Sequence, residues 1–497
     1  MGSVCAAMRL DEEILEAETG SISFEFRSRS DGNLFLLRGS DARSLEMRIV
    51  GSSLVYEAAV PSKWNKLEAE DIRSLDDGRW HSAVVTVDSA GTRLYVDGYQ
   101  AFCGTTTAFL KDLPGLTQAI LGQGDSPEIT AFRVRPEVLT SREVLALSRR
   151  VQPLVEFAAN RLSPYDVTRF CHARHGSVWL RFRVRGRMQQ GALLAASGLG
   201  REQLSVTVGP EGITYTCVSA TGERREVQAN GAWSDGDWHE VVVTVGHGAV
   251  DLYVDGFREK HAPGEFFLGE VEGLDEIVVG QDCDGVRLSG EVQRAGLYDY
   301  ALSDAQIKRL CEIEPIETDA LFDRGYRGSA SYRIPSLLTL TSGTILAGAD
   351  QRVSSANDSP NDINFVVRRS LDGGRSWEPA HTVIDCPGSG EDASSVIDSC
   401  MVQDPHTGRI HVLIDHFPGG IGQPNCWAST GFDEQGRRLL RDLDDGRYVV
   451  EADGKVTTID GQATEFRIED DGTVLRDGHP AGNFELAPGA DPAESLL

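Results

Sequence analysis

The stretch SASYRIPSLL, Ser329 to Leu338, sets Arg333 between an aromatic residue and an Ile-Pro pair, where an apolar strand should begin. A guanidinium presents a planar pair of donors that meets a carboxylate at two points in a fixed orientation, so an arginine in this place suits an anionic ligand. The plainer alternative is a surface arginine that caps a strand. The rest of the chain sharpens the contrast, because 76 acidic residues stand against 48 basic ones and leave a formal net charge of −28. A surplus of that size disfavours nucleic acid and anionic membrane as partners. It makes an isolated basic pocket for an acidic ligand conspicuous.

The elements that would position such a pocket come from a long chain. With 497 residues, 40% of them hydrophobic, and no apolar run near the roughly 18 residues that a membrane span requires, a soluble protein of about three domains is expected. The opening MGSVCAAMRLDEEILEAETG turns acidic before any apolar core of a signal peptide develops, so no secretory signal is read. Nine cysteines are an odd number scattered without paired spacing, which argues against a disulfide framework and against a zinc site. No metal and no cofactor is expected.

The first three hundred residues contain an internal repeat. DDGRWHSAVVTVDSAGTRLYVDGYQ, Asp76 to Gln100, returns as SDGDWHEVVVTVGHGAVDLYVDGFR, Ser234 to Arg258. The offset from Trp80 to Trp238 equals that from Asp97 to Asp255, 158 residues. Upstream, GSISFEFRS from Gly20 is answered by GSVWLRFRV from Gly176, so whole domains are repeated. β-branched runs such as AVVTV and VVVTV, and LYVDG strands closed by an Asp-Gly turn, predict a two-sheet β-sandwich in each copy. A short helix capped by Thr or Ser is predicted to close each copy, from Leu139 and from Leu302. The Trp-His and LYVDG pattern resembles the concanavalin-like or laminin-G-like jelly rolls, over roughly residues 10 to 312. That resemblance implies carbohydrate binding only weakly. Trp80 and Trp238 could be ligand platforms, but core packing is the favoured expectation for them and for His81 and His239. Some such domains bind calcium at the rim, and no dense carboxylate cluster requires it here.

After CEIEPIETDALFDRGYRG the pattern changes to strands broken by glycine and acidic loops. YRIP, Tyr332 to Pro335, is followed within forty residues by SLDGGRSW, Ser370 to Trp377, which fits the S-x-D-x-G-x-x-W Asp box. Together they resemble the start of a bacterial sialidase catalytic domain, a six-bladed β-propeller, and the similarity runs over about residues 320 to 425. The expected fold is therefore all-β. Two concanavalin-like sandwiches, 1–152 and 153–314, precede the first part of a propeller, 315–497, with a small β insertion at about 427–490.

The resemblance implies site roles. Arg333 would be the first of three arginines that hold the carboxylate of sialic acid, and Asp358, in ANDSPND, would be the acid/base of a retaining glycoside hydrolase. Asp362 is its nearby competitor, and either could be a solvated loop carboxylate. Arg352 would line and brace the pocket, and Asp350 would hold that loop. Asp398 would border the N-acyl and glycerol side of the sugar, a role only slightly favoured over a structural one. Ser370, Asp372, Gly374 and Trp377 of the Asp box would fold a hairpin turn away from the pocket and carry no chemistry. The sequence also departs from the family: no match is found for the catalytic glutamate, the two further arginines or the tyrosine nucleophile, and Tyr448 does not fit the last position. Residues 318 to 425 should supply about two four-stranded blades, so the chain reads as a truncated product that is not expected to hydrolyse sialosides. Two functions remain open, an exo-α-sialidase acting on sialylated glycoconjugates and a glycan-binding protein with an inert sialidase remnant. A hydrolase for another acidic sugar fits less well.

Overall fold

In the computed structural model the described residues run from 6 to 485, apart from 52, 62, 64, 70–74, 124–126, 185–190, 220, 386–387, 425–430, 442–446 and 470–472. The predicted edges of the insertion, 427 and 490, lie outside them. The chain divides into two compact units, Met1–Ala320 and Leu321–Leu497.

The first unit holds two β-sandwiches of one topology. In the first sandwich one sheet runs in the order Glu128–Arg135, Gly20–Arg27, His81–Val87, Thr92–Val96, Tyr99–Gly104. In the second the same order recurs as Gly290–Tyr298, Gly176–Val184, Trp238–Gly246, Ala249–Val254, Phe257–Pro263, with Val155–Glu156 added at the edge. The sequence repeat is thus a repeat of strand order. His81–Val87 is buried at every position, which explains why a run rather than an alternation stands there: a strand covered on both faces has no polar side. Its inner face meets the opposed sheet through Val85 and Val87, and its outer face carries Val84, packed with Tyr95 and with Val144 of the helix Ser141–Leu147. The second copy covers more on that outer face, with Trp179, Val242, Tyr253, Tyr298, Leu302 and Ile307 under the helix Asp304–Leu310. Both helices start as predicted, from Thr140 and Ser303, and each closes a capping box with Glu143 or Gln306. The glycine that opens the matched strands is required by close approach, since a Cβ would lie 2.1 Å from the Arg135 carbonyl at Gly20 and 2.2 Å from the Phe267 ring at Gly176.

The Trp-His motif departs from the expectation of core packing. His81 is buried, but Trp80 and Trp238 are only half-buried and lie outside the cores. Trp80 sits under Arg27 and Arg149, 5.0 and 5.3 Å from its ring, and Trp238 under Arg183 and Arg181, 4.6 and 5.7 Å away. The large ring is covered by cation–π contact, and the histidine behind it does the inward job. His81 Nδ1 lies 2.8 Å from Asp97 and Nε2 3.3 Å from Asp77, while Asp97 also accepts from the Ser82 amide at 2.9 Å. His239 repeats this with Asp255 at 2.7 Å and Asp235 at 3.1 Å. Asp97-Gly98 and Asp255-Gly256 are turns with positive φ at both residues, the mirror-image geometry that suits tight hairpins.

The second unit begins with one four-stranded antiparallel blade, Ser331–Thr339, Ile345–Arg352, Ile363–Ser370 and His381–Ile384. A hairpin, Ser395–Gln403 with Ile410–Phe417, joins it through a single parallel pairing of Ile363 with Ser395. Two full blades were expected, and the described residues hold one blade and two strands. The chain then enters a separate six-stranded meander from Arg438 to Glu485, built on Asp-Gly and other tight turns that return each strand beside the last.

Candidate active site

Arg333 lies where the first strand of the blade is irregular. Pairing with the neighbouring strand slips between Arg333 and Ser336, and Ile334 takes φ 54°. A β-branched residue in the left-handed region is strained, and the extra residue of a bulge re-aims the side chain before it. Arg333 is left about half exposed, with Nη1 3.1 Å from Asp358 Oδ1. Arg352 ends the second strand with its side chain fully buried, and its Nη1 lies 2.7 Å from the same oxygen. That nitrogen also donates to the Asn357 carbonyl.

The loop between Arg352 and Ile363 carries Asp358 and is braced from within. Asn361, 1% exposed, donates to the Ser355 and Asn357 carbonyls at 3.0 Å each, and its own carbonyl accepts from Ser395 Oγ. Nothing in the sequence singled out Asn361. Its type offers two donors on a short stem, the usual means of holding a loop.

Asp350 stands opposite Arg333 in the strand register and is fully buried. Burial pushes its carboxyl up to about 6, against the opposing hydrogen bonds from Asp398 and Ser399. Its Oδ2 accepts from the Asp398 amide at 3.0 Å. Asp350 therefore fixes the bulge of the strand Ser395–Gln403 rather than the loop of Asp358. Asp398 sits in that bulge, exposed and with φ 55°.

The structure thus brings Arg333, Arg352 and Asp358 into one cluster and ties the backbone of Asp398 to it through Asp350. Asp362 stands apart. Burial and the charge of Asp385 raise its carboxyl, and among the described residues it forms no ion pair. Around the cluster, Arg352 Nε and Nη2 and the hydroxyls of Ser336 and Ser359 are buried without a hydrogen-bond partner among the described residues. Buried polar groups left in this state cost stability.

The Asp box folds at the other end. Gly374 donates to Ser370 Oγ at 2.8 Å, Ser376 donates to Asp372 through its amide at 2.9 Å and its hydroxyl at 2.6 Å, and Trp377 Nε1 donates to the Gly374 carbonyl at 3.1 Å. The Ser376 hydroxyl above all holds the Asp372 carboxyl down to about 2. Arg352 pairs with Ile363 and Ile345 with Ser370, so the turn and the cluster are separated by the length of a strand, roughly 23 Å. Tyr448 lies in the meander strand Arg447–Val450. Tyr332, beside Arg333 in sequence, turns its hydroxyl to the Tyr326 carbonyl at 2.9 Å.

Comparison with known proteins agrees with this architecture. Residues 24–131 match the model of the Laminin G domain, and residues 176–308 match that of the Concanavalin A-like lectin/glucanases superfamily. The chain is similar to an anhydrosialidase of Macrobdella decora, 29% identical over 232 residues, which cover 41% of this chain and 30% of that protein. It is also similar to sialidase B of Streptococcus pneumoniae, 28% identical over 258 residues, 46% of this chain and 37% of the relative. Among solved structures, a leech intramolecular trans-sialidase aligns with 66% of this chain and 56% of its own, at 19% identity and a TM-score of 0.35. The matched segments span about a third of the length of the two curated relatives.

Proposed function

We propose that the chain carries part of an exo-α-sialidase, a glycoside hydrolase that removes terminal sialic acid from glycoconjugates, preceded by two carbohydrate-binding sandwiches. The observation that supports this most is the convergence of Arg333 and Arg352 on one oxygen of Asp358, in a segment that resembles sialidases. Sialic acid carries its carboxylate on the anomeric carbon itself. An ion pair as exposed as Arg333–Asp358 is worth only ~0.2–1 kcal/mol, so a substrate carboxylate competes for Arg333 at little cost. Asp358, released from Arg333, takes a proton from solvent and passes it to the leaving oxygen, then takes a proton from the attacking water. Arg352, buried and fixed, keeps the carboxylate of Asp358 near that position.

The finer mechanism is retention of configuration through a neutral tyrosine activated by a glutamate, because an anionic nucleophile would approach a centre already flanked by a carboxylate. Among the described residues no tyrosine hydroxyl and no glutamate is hydrogen-bonded to Arg333, Arg352 or Asp358. That observation favours a second reading, a sialoglycan-binding protein without turnover.

One experiment separates the two. The full chain, Asp358→Asn and Asp362→Asn are assayed on sialyllactose and on an aryl sialoside whose phenol leaves without protonation. On the enzymatic reading, Asp358→Asn loses about 10²–10⁴-fold on sialyllactose, far less on the aryl sialoside, and Asp362→Asn changes little. A small, equal loss on both substrates removes Asp358 from the acid/base role. Turnover of sialyllactose by the unmodified chain removes the second reading.

A further inference from the structure

The two sandwiches enclose a cleft of about 660 Å³ where they meet within the first unit. Its walls come from stretches distant in sequence: the helix Ser141–Leu147 with the connection after it through Arg150 and Val151, the paired strands carrying Trp179 and Arg294, and the end of the helix Asp304–Leu310 with the residues after it. The floor is apolar, with Leu145, Val151, Leu310 and Ile313. The charges facing it are Arg142, Arg150, Arg294 and Arg309 against Glu312 and Glu314. Arg142 is paired with Glu314 at 3.3 Å, and Arg294 with Glu156 at 3.1 Å while it also covers the buried Trp179. Among the described residues, Arg150 and Arg309 form no ion pair. Two guanidinium groups without a carboxylate partner among the described residues thus face one concave surface in a chain whose net charge is −28.

We propose that this cleft is a second ligand site, which takes a carboxylate-bearing sugar. The volume falls in the ~300–1,000 Å³ range of small-ligand sites, enough for a short oligosaccharide. The apolar floor suits the C–H face of a sugar ring, and a free guanidinium recognises a carboxylate at two points. The match of both sandwiches to lectin-type models makes a sugar the fitting class of ligand. The site is independent of the blade and of whether the blade turns substrate over.

The test uses the full chain with Arg333→Ala, so that the blade contributes no carboxylate contact. Binding of 3′-sialyllactose, its methyl ester and lactose is followed by calorimetry, before and after adding Arg150→Ala and Arg309→Ala together. The acid is expected to bind the Arg333→Ala chain at least about tenfold more tightly than the ester or lactose, and the double substitution is expected to remove that preference. Arg150→Lys with Arg309→Lys should restore part of it, which separates lost charge from lost folding. Unchanged affinity after the double alanine substitution, or loss of all binding with Arg333→Ala alone, overturns the proposal. Absence of turnover bears only on the blade.

Discussion

The two sandwiches share one clamp and weight it differently. In each, a histidine is held between the aspartate four residues before it and the aspartate sixteen after it, with nearly the same distances. The side chains of His81 and Asp97 are 2% and 11% exposed, whereas those of His239 and Asp255 are 12% and 46% exposed. The first clamp is covered from outside its own motif: Arg79, next to Trp80, pairs with Asp299 at 3.2 Å and lies 3.5 Å over the ring of Tyr300, both from the second copy. Local sequence writes the geometry of the clamp. Its energetic weight is set by what the other copy lays over it.

The largest expected effect that tests this contrast is a pair of substitutions. His81→Ala leaves two carboxylates in a dry place and should cost about 3–5 kcal/mol. His239→Ala, whose aspartates can rehydrate, should cost about 1 kcal/mol. Chemical denaturation of each variant checks the difference, and equal costs would mean that burial does not set the weight of the clamp.

A second test of the same clamp concerns pH. Burial alone would lower the pKa of His81, but Asp97 and Asp77 outweigh it and raise it from 6.5 to about 10. A group whose folded pKa is raised stabilises fully below its unfolded pKa, and that contribution is lost as pH rises through the folded one. The first sandwich should therefore lose stability from about pH 6.5 to about pH 10. Hydrogen exchange of the strand His81–Val87 across that window reads the slope, which His81→Gln should flatten. The smallest effect is that of the cover itself. Arg79→Ala should cost about 0.5–1 kcal/mol and should make the first clamp behave more like the second, with faster exchange at Ser82. No change at Ser82 would assign the dryness of His81 to its own sandwich.

Much of this fold was legible because it repeats. A motif that recurs at a constant offset marks a domain, and the two buried β-branched runs mark central strands covered on both faces. Trp80 and Trp238 were misjudged because large aromatics usually fill cores, and no local signal reveals that arginines from neighbouring strands will cover them. In the blade, the motif around Arg333 was legible, as was the Asp box, since its turn is made within eight residues. The complete burial of Arg352, the bracing by Asn361 and the reach of Asp350 to the Asp398 amide were not, because each depends on a register between strands. Among the described residues the second expected blade is represented by two strands, since residue counts do not show where a chain leaves one sheet for another. The cleft between the sandwiches was invisible for the same reason, being assembled from separate segments that no spacing connects.

The Asp-Gly turns also bear on how the protein ages. A glycine amide attacks a preceding aspartate side chain more readily than any other residue does, giving a cyclic imide that reopens to isoaspartate. At Asp97 the carboxylate is fixed by His81 and the Ser82 amide and is only 11% exposed, which restricts the rotation that ring closure with the Gly98 amide requires. Asp255 is tethered in the same way by His239 and the Glu240 amide, but it is far more open to solvent. On prolonged storage, peptide mapping should therefore find isoaspartate at Asp255 well before Asp97. A hairpin that repeats faithfully in sequence then has two copies of unequal chemical lifetime.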